Sequence, residues 1–360
     1  MKIIHIVESS ATGTLSMVCL IANRLAREGH DVHVIYSVRP DTPPALAAMF
    51  DTRVSLRHVQ MKGAGLLRIA GRLRATLNEI GPDVVHLHSS FAGFLGRLST
   101  LFALPKAAFF YSPHCISFMR RDISGVKRMA FVGLEWIACV RKCLYVACSE
   151  SEGHAIRAWL RQPVVVVENA VSDTRSPQRS GDAERPADGP PCVVTVGGIR
   201  AQKNPELFAR IAHGMRARGT RFVWIGDGDA AEKARLAEAG VEVTGWLPRD
   251  EVARQLERAD VYLSTSSWEG MPVSVIEAML ARRPVIVSDC AGNVDVVRHL
   301  QTGLIYTTAS DAIAWLERLA GDDALRRELA QRASREARQR FGEERLFGEL
   351  APLYAAWVAR

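Results

Sequence analysis

The sequence predicts an α/β protein built from two successive doubly wound domains, each with a parallel sheet. Short strands rich in Val and Ile alternate with amphipathic helical segments, and this alternation is interrupted once and then starts again. Parallel sheets covered by helices on both faces have this pattern. At 360 residues the chain also exceeds what one hydrophobic core usually supports. We therefore predict domains over 1–175 and 192–342, joined by a linker over 176–191.

The first domain contains a nearly regular series of predicted strands, separated by helices such as Leu66–Ile80. The first strand leads into a loop, Glu8–Thr14, and then into a helix over about Leu15–Glu28. The strands are Ile3–Val7, Val32–Tyr36, Val54–Val59, Asp83–His88, Ala107–Tyr111, Leu144–Cys148 and Val164–Val167. Such a series makes a complete doubly wound domain.

The second domain follows a polar segment without periodicity, 176–191, which contains four prolines and two glycines. That composition favours a linker or a mobile loop. The alternation then resumes, with a helix from about Pro205 and a short one over Asp250–Arg258. The predicted strands are Cys192–Val196, Phe222–Ile225, Val241–Thr244, Val261–Ser264 and Val285–Val287. Both domains are therefore expected to be Rossmann-like.

The composition is that of a globular protein, with 48% hydrophobic and 24% charged residues. Seven scattered cysteines with no Cys-x-x-Cys predict neither a disulfide framework nor a zinc site. The first residues hold too short an apolar run for a secretory signal, and no apolar stretch reaches the length of a membrane span. We expect a cytoplasmic protein.

Positive charge is concentrated in the first half of the chain. Residues 1–170 contain 20 Lys and Arg against 12 Asp and Glu, whereas 171–360 contain 26 against 27. The excess favours an anionic partner for the first domain, such as nucleic acid, an anionic membrane face or a phosphorylated acceptor. A solvated basic surface is the alternative.

Ligands of open parallel sheets bind outside the carboxyl ends of the strands, so the loops there have most weight. The loop after the strand Cys192–Val196 begins with Gly197 and Gly198, which let the backbone approach a ligand. Arg200 and Lys203 follow and place cations where a pyrophosphate would bind. Next come Asn204, a helix N-cap, and Pro205, suited to a first helical turn. A capped loop with two surface cations is the structural alternative.

A second loop follows the strand Val261–Ser264 and carries the most specific pattern. Pro272 is placed to begin a helix that runs to about Arg282. The free amides near it, together with the helix dipole, create an anion site. The residues that supply those amides are Gly270, Met271 and Val273.

Two glutamates flank this anion site. Glu269 lies in the loop, and Glu277 lies about one and a half turns inside the helix. They are separated by roughly 80° around an ideal helix, so we expect them to contact different parts of one ligand. A carboxylate beside an anion site can accept hydrogen bonds from ribose or sugar hydroxyls. Salt bridges or solvated positions are the alternative for each.

The ordered series of motifs resembles the sugar-nucleotide domain of the family 4 retaining glycosyltransferases. It comprises Gly197–Asn204, Gly226-Asp-Gly228, Gly245, Glu269-Gly270, Pro272, Glu277-Ala-Met279, Pro284-Val285, Asn293–Val297 and Thr302-Gly303-Leu304. The resemblance extends over essentially the whole chain. It implies the GT-B fold, in which the two Rossmann-like domains face a central cleft and the last helix, about 343–360, packs back on the first domain.

The resemblance also implies the chemistry. A sugar moves from a nucleoside diphosphate to a hydroxyl with retention of configuration and without metal or other cofactor. Lys203, Arg200, Gly197, Gly198 and Gly245 would serve the donor diphosphate, together with the amides after Glu269. Glu269 would contact the sugar and Glu277 the ribose. UDP is the default nucleotide, with GDP next.

His114, after the strand that ends at Tyr111, matches a family histidine that faces the donor sugar. With Lys203 and Glu269 it completes the expected catalytic set. A capping or buried structural histidine is the alternative. On the acceptor side, the resemblance points to Gly13, His88 and His114.

Some positions depart from the family pattern. Gly198 stands where the family has an arginine, so Arg200 is expected to substitute or Lys203 to act alone. Arg282 replaces a common glycine, and Ala170 replaces the glycine after Asn169. The glycine-rich loop after the first strand is reduced to Thr12-Gly13-Thr14. Asp227-Gly-Asp229 mimics the metal-binding Asp-x-Asp of the GT-A fold, but we interpret it as a turn.

The expected acceptor is a glycan or a polyprenyl-diphosphate-linked sugar of a bacterial surface polysaccharide. Phe118–Lys142 mixes cations with large apolar residues, which suits contact with the inner face of the cytoplasmic membrane. A buried crossover helix with a charged rim is the alternative. A sugar-nucleotide 2-epimerase and a non-catalytic nucleotide-sugar binding protein remain competing functions. A nicotinamide dehydrogenase and a nucleic-acid binder are disfavoured because their motifs are missing.

Overall fold

The computed structural model describes residues 1–9, 12–63, 65–172 and 190–358. The chain forms two compact units, one made of Met1–Ala170 with Glu343–Arg360 and the other of Val171–Gly342. Most of the predicted linker, up to residue 189, lies outside the described residues. In the part of the chain described, no helix is long and apolar enough to cross a membrane.

The first unit contains a seven-stranded sheet in the order β3-β2-β1-β4-β5-β6-β7, in which every pair is parallel. The strands are β1 Lys2–Val7, β2 Asp31–Tyr36, β3 Ser55–His58, β4 Val84–His88, β5 Ala108–Ser112, β6 Leu144–Ala147 and β7 Val164–Val166. The helices between them are α1 Thr12–Arg27, α2 Leu66–Ile80, α3 Ser90–Ser99, α4 Gly125–Ala138 and α5 Glu150–Leu160.

Helix α1 begins earlier than predicted. The sequence placed a loop over Glu8–Thr14, but the helix starts at Thr12 and includes Gly13. Its first turn, Thr-Gly-Thr, has low helix propensity, and the apolar face of the remaining helix stabilises it. Gly13 therefore lies in a helix and not in an open loop.

The second unit contains a six-stranded parallel sheet in the order β10-β9-β8-β11-β12-β13. Its strands are β8 Cys192–Val196, β9 Arg221–Ile225, β10 Val241–Val243, β11 Val261–Ser264, β12 Val285–Ser288 and β13 Leu304–Tyr306. The helices are α6 Pro205–Gly214, α7 Ala230–Glu238, α8 Arg249–Arg258, α9 Val273–Leu280, α10 Asn293–Val296, α11 Ala309–Gly321 and α12 Asp323–Arg340. The sequence predictions did not include β13.

The last helix, α13 Glu343–Val358, belongs to the first unit. Its apolar face joins the core formed by α1 and one face of the first sheet, and Leu346, Leu350 and Tyr354 are buried there. At its start, Glu344 forms a 2.6 Å ion pair with Arg24 of α1.

Both sheets follow the doubly wound strand order, and this order is what positions the site. The chain moves outward from β8 through β9 to β10, and then returns to place β11 on the other side of β8. Loops that leave β8 and β11 therefore diverge at the carboxyl edge of the sheet and open a crevice there. The predicted fold class is confirmed.

Candidate active site

Lys203 and Glu269 meet at the crevice of the second sheet. Lys203 ends a single 3-10 turn in the loop after β8, and Glu269 lies in the loop after β11. The ammonium nitrogen of Lys203 is 2.8 Å from Oε1 of Glu269, and the two side chains are only 13% and 8% exposed. Burial lowers the pKa of Lys203 more than any other single effect, but the charge and hydrogen bond of Glu269, together with Tyr262, outweigh it, and the pKa is raised overall. Lys203 is therefore a buried cation.

The carboxylate of Glu269 is held by two further donors, neither of which is among the predicted site residues. Ser266 Oγ donates a 2.7 Å hydrogen bond to Oε1, and Gln202 Nε2 donates a 3.0 Å bond to Oε2. The backbone amide of Glu269 donates to the carbonyl of Ala291 at 3.0 Å. Gln202 could have been noticed because it immediately precedes Lys203, but nothing local distinguishes Ser266 in a run of hydroxyl residues.

Glycines allow the backbone to pass close to this pair. Gly197 has φ of +142°, and a Cβ there would lie 3.0 Å from Cε of Lys203. A Cβ on Gly226 would lie 2.2 Å from the carbonyl oxygen of Gly197. Gly245 forms an antiparallel bridge with Gly226, so the loops after β8, β9 and β10 converge. The structure therefore brings Gly197 and Gly245 to the same edge of the sheet as Lys203.

Arg200 lies over Gly198. Its guanidino Nε is 3.2 Å from the position that a Cβ on Gly198 would take, and the residue itself is exposed. A cationic side chain thus occupies the space beside position 198, although residue 198 has no side chain. The predicted cap is confirmed at Asn204, whose Oδ1 accepts a 3.1 Å hydrogen bond from the amide of Leu207.

The start of α9 lies directly after Glu269. Pro272 is the N-cap and Val273 the first helical residue, so the proline precedes the helix by one position more than predicted. Gly270, Met271 and Pro272 are buried, and Val273 is half-buried. The positive end of the α9 dipole therefore begins beside the Lys203–Glu269 pair.

Glu277 makes different contacts from Glu269, in line with their predicted angular separation. Burial raises the pKa of Glu277, and the charges of Arg249 and Lys203 offset part of that rise. An Arg249 guanidinium nitrogen lies 3.9 Å from Oε1 of Glu277. Glu277 is a half-buried carboxylate near the start of α8.

The Asp227-Gly-Asp229 segment forms the predicted turn. Asp227 accepts hydrogen bonds from the ammonium of Lys233 at 2.7 Å and from the amide of Gly228 at 2.8 Å. Asp229 caps α7 by accepting bonds from the amides of Ala231 and Glu232, both at 3.0 Å. Both carboxylates are engaged by N–H donors.

In the first unit, His88 and His114 lie in contact. Nδ1 of His88 is 3.0 Å from Nε2 of His114, and Nε2 of His88 is 3.0 Å from Nδ1 of His5. Burial lowers the pKa of His114 to about 4 and that of His5 to about 3, so these imidazoles are neutral at pH 7. His5 was not among the predicted site residues. Gly13, the third predicted acceptor residue, lies in α1.

Glu152 holds the loop that carries His114. Its Oε1 accepts hydrogen bonds from the amides of Cys115 at 2.7 Å and Ile116 at 2.9 Å, and its Oε2 accepts one from Cys148 at 2.9 Å. His114 and Cys115 have φ of +53° and +85°, a left-handed conformation that costs energy for residues other than glycine. Glu152 was not among the predicted site residues, because Cys115 and Ile116, whose amides it holds beside His114, are distant from it in sequence.

Two protein-family models match the chain. One, described as Glycosyltransferase Family 4, matches residues 12–175, and the other, described as Glycosyl transferases group 1, matches residues 190–322. The first match ends five residues after Ala170, where the first compact unit gives way to the second in the sequence.

Two curated relatives that match the chain are named as glycosyltransferases. The UDP-Gal:α-D-GlcNAc-diphosphoundecaprenol α-1,3-galactosyltransferase of Escherichia coli is 28% identical over 62% of this chain and 62% of its own length. An uncharacterized glycosyltransferase of Methanocaldococcus jannaschii is 22% identical over 95% of this chain and 94% of its own length. The chain spans somewhat under two thirds of the length of two of the curated relatives, 64% and 62%.

Solved structures share the fold over the whole chain. Sucrose-phosphate synthase from Thermosynechococcus elongatus superposes with a TM-score of 0.85 at 18% identity and covers 100% of this chain and 99% of its own. HepE from Anabaena, determined in complex with UDP-glucose, superposes with a TM-score of 0.81 at 17% identity over 99% and 100%. The superpositions show the GT-B fold, and the two family models, which match residues 12–175 and 190–322, show that the chain belongs to the family 4, group 1 glycosyltransferases.

Proposed function

We propose that this protein is a retaining glycosyltransferase that moves a hexosyl or N-acetylhexosaminyl group from a nucleoside-diphosphate sugar to a hydroxyl of a glycan or lipid-linked acceptor. The observation that carries the proposal is the buried Lys203–Glu269 pair at the crevice of the second sheet, directly before α9. UDP is the expected nucleotide and GDP the next. Support for UDP comes from the names of the E. coli relative and of the Anabaena complex.

The cations of the site are suited to the leaving diphosphate. As the glycosidic bond breaks, negative charge gathers on the departing phosphate oxygens, and fixed donors in a site of low water content stabilise it strongly. Lys203 is such a donor because it is both charged and nearly buried. Arg200, Gly198 and the amides of Gly270, Met271 and Val273 would add further donors. Because these groups supply the charge stabilisation, we propose that transfer is independent of metal.

Glu269 retains capacity to bind the sugar. An ionised carboxylate accepts about four hydrogen bonds. Lys203 and Ser266 use Oε1, and Gln202 uses Oε2, so one acceptor position on Oε2 is left. A sugar hydroxyl fits that position. Glu277 would accept hydrogen bonds from the ribose hydroxyls, and His114 would contact the sugar as a neutral group.

We also propose that the acceptor is presented at the inner face of the cytoplasmic membrane during assembly of a bacterial surface polysaccharide. The name of the E. coli relative specifies a diphosphoundecaprenol acceptor. Helix α4 and the residues after it expose large apolar side chains, with Val126 83%, Ile137 57% and Val140 71% exposed. Lys127 lies beside them, and such a mixture of cations and apolar groups binds anionic lipid surfaces.

A transfer assay tests the catalytic part of the proposal. The purified protein is screened by thermal shift with UDP, GDP and their sugars, since a ligand that binds only the folded form raises its melting temperature. The stabilising donor is then incubated with a lipid-diphosphate-linked sugar, with and without EDTA, and the anomeric configuration of the product is determined by NMR. Conversion of the donor without any acceptor would instead identify a 2-epimerase, and binding without turnover would identify a binding protein.

Two single-residue variants test whether turnover depends on Lys203 and Glu269. Lys203→Ala and Glu269→Ala are each expected to abolish turnover while the protein remains folded, as judged by circular dichroism. Wild-type turnover in either variant would overturn the role assigned to that residue.

The membrane part is tested by cosedimentation with vesicles. Binding to anionic vesicles but not to neutral ones is expected, and it should weaken in a Val126→Ser/Val140→Ser variant. Val294→Ser, which changes a 39% exposed valine in the second unit, is the control and should bind as wild type does. Equal binding to both kinds of vesicle would contradict this part.

A further inference from the structure

Three histidine rings form a continuous chain of contacts through the first unit. Nε2 of His114 contacts Nδ1 of His88 at 3.0 Å, and Nε2 of His88 contacts Nδ1 of His5 at 3.0 Å. The last nitrogen, Nε2 of His5, is buried and has no hydrogen-bond partner among the residues described. We call His5, His88 and His114 the histidine chain.

The strand order places these rings together. β1 and β4 are neighbours at the crevice of the first sheet, with Val7 opposite His88 and His5 opposite His86. Alternate residues of a strand point to opposite faces. Ile4, Ile6 and Leu87 therefore enter one core, while His5 and His88 lie on the other face and are 0% exposed.

The protons of such a chain cannot be placed independently. A neutral imidazole carries its single proton on one of its two nitrogens. Each N···N contact needs one N–H donor and one lone pair, so the choice at one ring dictates the choice at the next. Only two arrangements satisfy both contacts: all three protons lie on Nδ1, or all three lie on Nε2.

The environment of His5 distinguishes the two arrangements. With the protons on Nε2, the N–H of His5 would point into the interior without an acceptor. Buried N–H groups without acceptors are rare because the loss of hydration is not compensated. With the protons on Nδ1, both internal contacts are kept and only a lone pair of His5 is unmatched. The Nδ1 arrangement is the better one.

We propose that His5 and His88 are positioning residues that fix the proton of His114 on Nδ1, so that His114 offers an N–H donor to a ligand at its free nitrogen. The contact of that donor with a sugar hydroxyl rests on the proposed function. The tautomer of His114 does not.

A metal ion is the competing explanation for clustered histidines. One nitrogen from each of His5, His86 and His88 lies within 4.8 Å of the others. However, His86 uses Nδ1 in a 2.6 Å contact with Tyr354 Oη and Nε2 in a 2.8 Å contact with Ser112 Oγ. Both nitrogens of His88 are also engaged. A metal would have to break these hydrogen bonds, whereas the histidine chain uses them.

Nitrogen-15 NMR of protein labelled at histidine tests the proposal without any substrate. Long-range proton–nitrogen spectra distinguish a protonated ring nitrogen from an unprotonated one, and His114→Gln identifies the His114 signals by their loss. At pH 7.5 we expect Nδ1 of His114 to be the protonated nitrogen. We expect His5→Phe to turn His114 into a mixture of both tautomers, although the two residues do not touch. His86→Phe, which alters the same cluster outside the chain, is the control and should leave His114 unchanged.

The possible results distinguish the histidine chain from a metal site and from the proposed role of His114 in transfer. A proton on Nε2 of His114 in the wild type, or a His114 tautomer that is the same in His5→Phe, would overturn the histidine chain, provided that circular dichroism shows a folded variant. Movement of the His5, His86 and His88 signals on addition of Zn²⁺ would overturn it in favour of a metal site. If the tautomers behave as expected but His114→Gln transfers sugar at the wild-type rate, the proposed role of His114 fails and the histidine chain stands.

Discussion

A Cβ atom added to Gly292 would lie 2.5 Å from Cβ of Glu269 and 2.8 Å from its carbonyl oxygen. Gly292 also has φ of +85°, which residues other than glycine rarely adopt. The residue before it, Ala291, accepts the hydrogen bond from the amide of Glu269. The segment before α10 therefore determines where Glu269 lies.

Gly292→Ala is expected to reduce kcat/KM by about 10²-fold, because a displacement of about 1 Å at a catalytic group costs that much. The measurement is steady-state transfer with the donor identified by thermal shift. Gly321→Ala is the matched control, since a Cβ there meets nothing within 4 Å. Equal activity of the two variants would show that the position of Glu269 does not depend on Gly292.

The Lys203–Glu269 pair is expected to show energetic coupling. Removing one partner of a buried pair leaves an uncompensated charge and costs about 3–5 kcal/mol. Lys203→Met and Glu269→Gln should therefore each lower the free energy of unfolding in urea, and the double variant should lose less than the sum by about 0.5–3 kcal/mol.

The pair Lys233–Asp227 is the control for this measurement. Its nitrogen and oxygen are also close, at 2.7 Å, but the side chains are 38% and 35% exposed. Exposed pairs contribute about 0–1 kcal/mol, so Lys233→Met should change the free energy of unfolding by no more than that. Strict additivity at Lys203 and Glu269 would mean that water already screens the pair.

Glu152 is expected to stabilise the loop that carries His114. Glu152→Ala leaves three amides without their acceptor, and each unsatisfied group costs about 1–3 kcal/mol. Glu152→Gln keeps one carbonyl oxygen and should lose less. The exposed neighbour Glu150 forms a surface pair with Arg157, and Glu150→Gln should change stability by about 1 kcal/mol or less. The melting temperatures and kcat values of the three variants check this order.

The sequence predicts much of the fold because local patterns determine it. β8 and β11, for example, begin and end at the predicted residues. The three-residue strand β13 was not predicted, because Leu-Ile-Tyr is too short to show alternation. The start of α1 was predicted too late in the sequence, because tertiary packing overrides the low helix propensity of its first turn.

The candidate site, too, could be predicted only in part from the sequence. Glu269 and Lys203 could be selected because each belongs to a loop after a strand, where ligands of such sheets bind. Their contact could not be predicted, since it depends on β8 and β11 being neighbours. Likewise, the alternating patterns around His5 and His88 show that each side chain points to one face, but only the register of β1 with β4 shows that the two share it.

The buried histidines predict how stability depends on pH. Burial holds the pKa of His5 at about 3 and that of His114 at about 4, and it lowers the pKa values of His86 and His88 well below the usual value. In the unfolded chain each titrates near 6.5. Below pH 6.5 the unfolded chain therefore binds more protons than the folded protein. The stability that these neutral rings contribute is fully present above pH 6.5 and is lost as the pH falls towards 4.

Each such histidine lowers the free energy of unfolding by about 1.4 kcal/mol per pH unit over that range. We expect urea titrations at pH 7.5, 6.5, 5.5 and 5.0 to show a steep loss of stability for the wild type and a smaller one for His5→Phe, by up to about 1.4 kcal/mol per unit. Glu152, whose pKa is raised by burial, acts with the opposite sign. It is present in both proteins, so its effect cancels in the difference. Parallel pH profiles would show that His5 is already protonated in the folded protein or accessible to water.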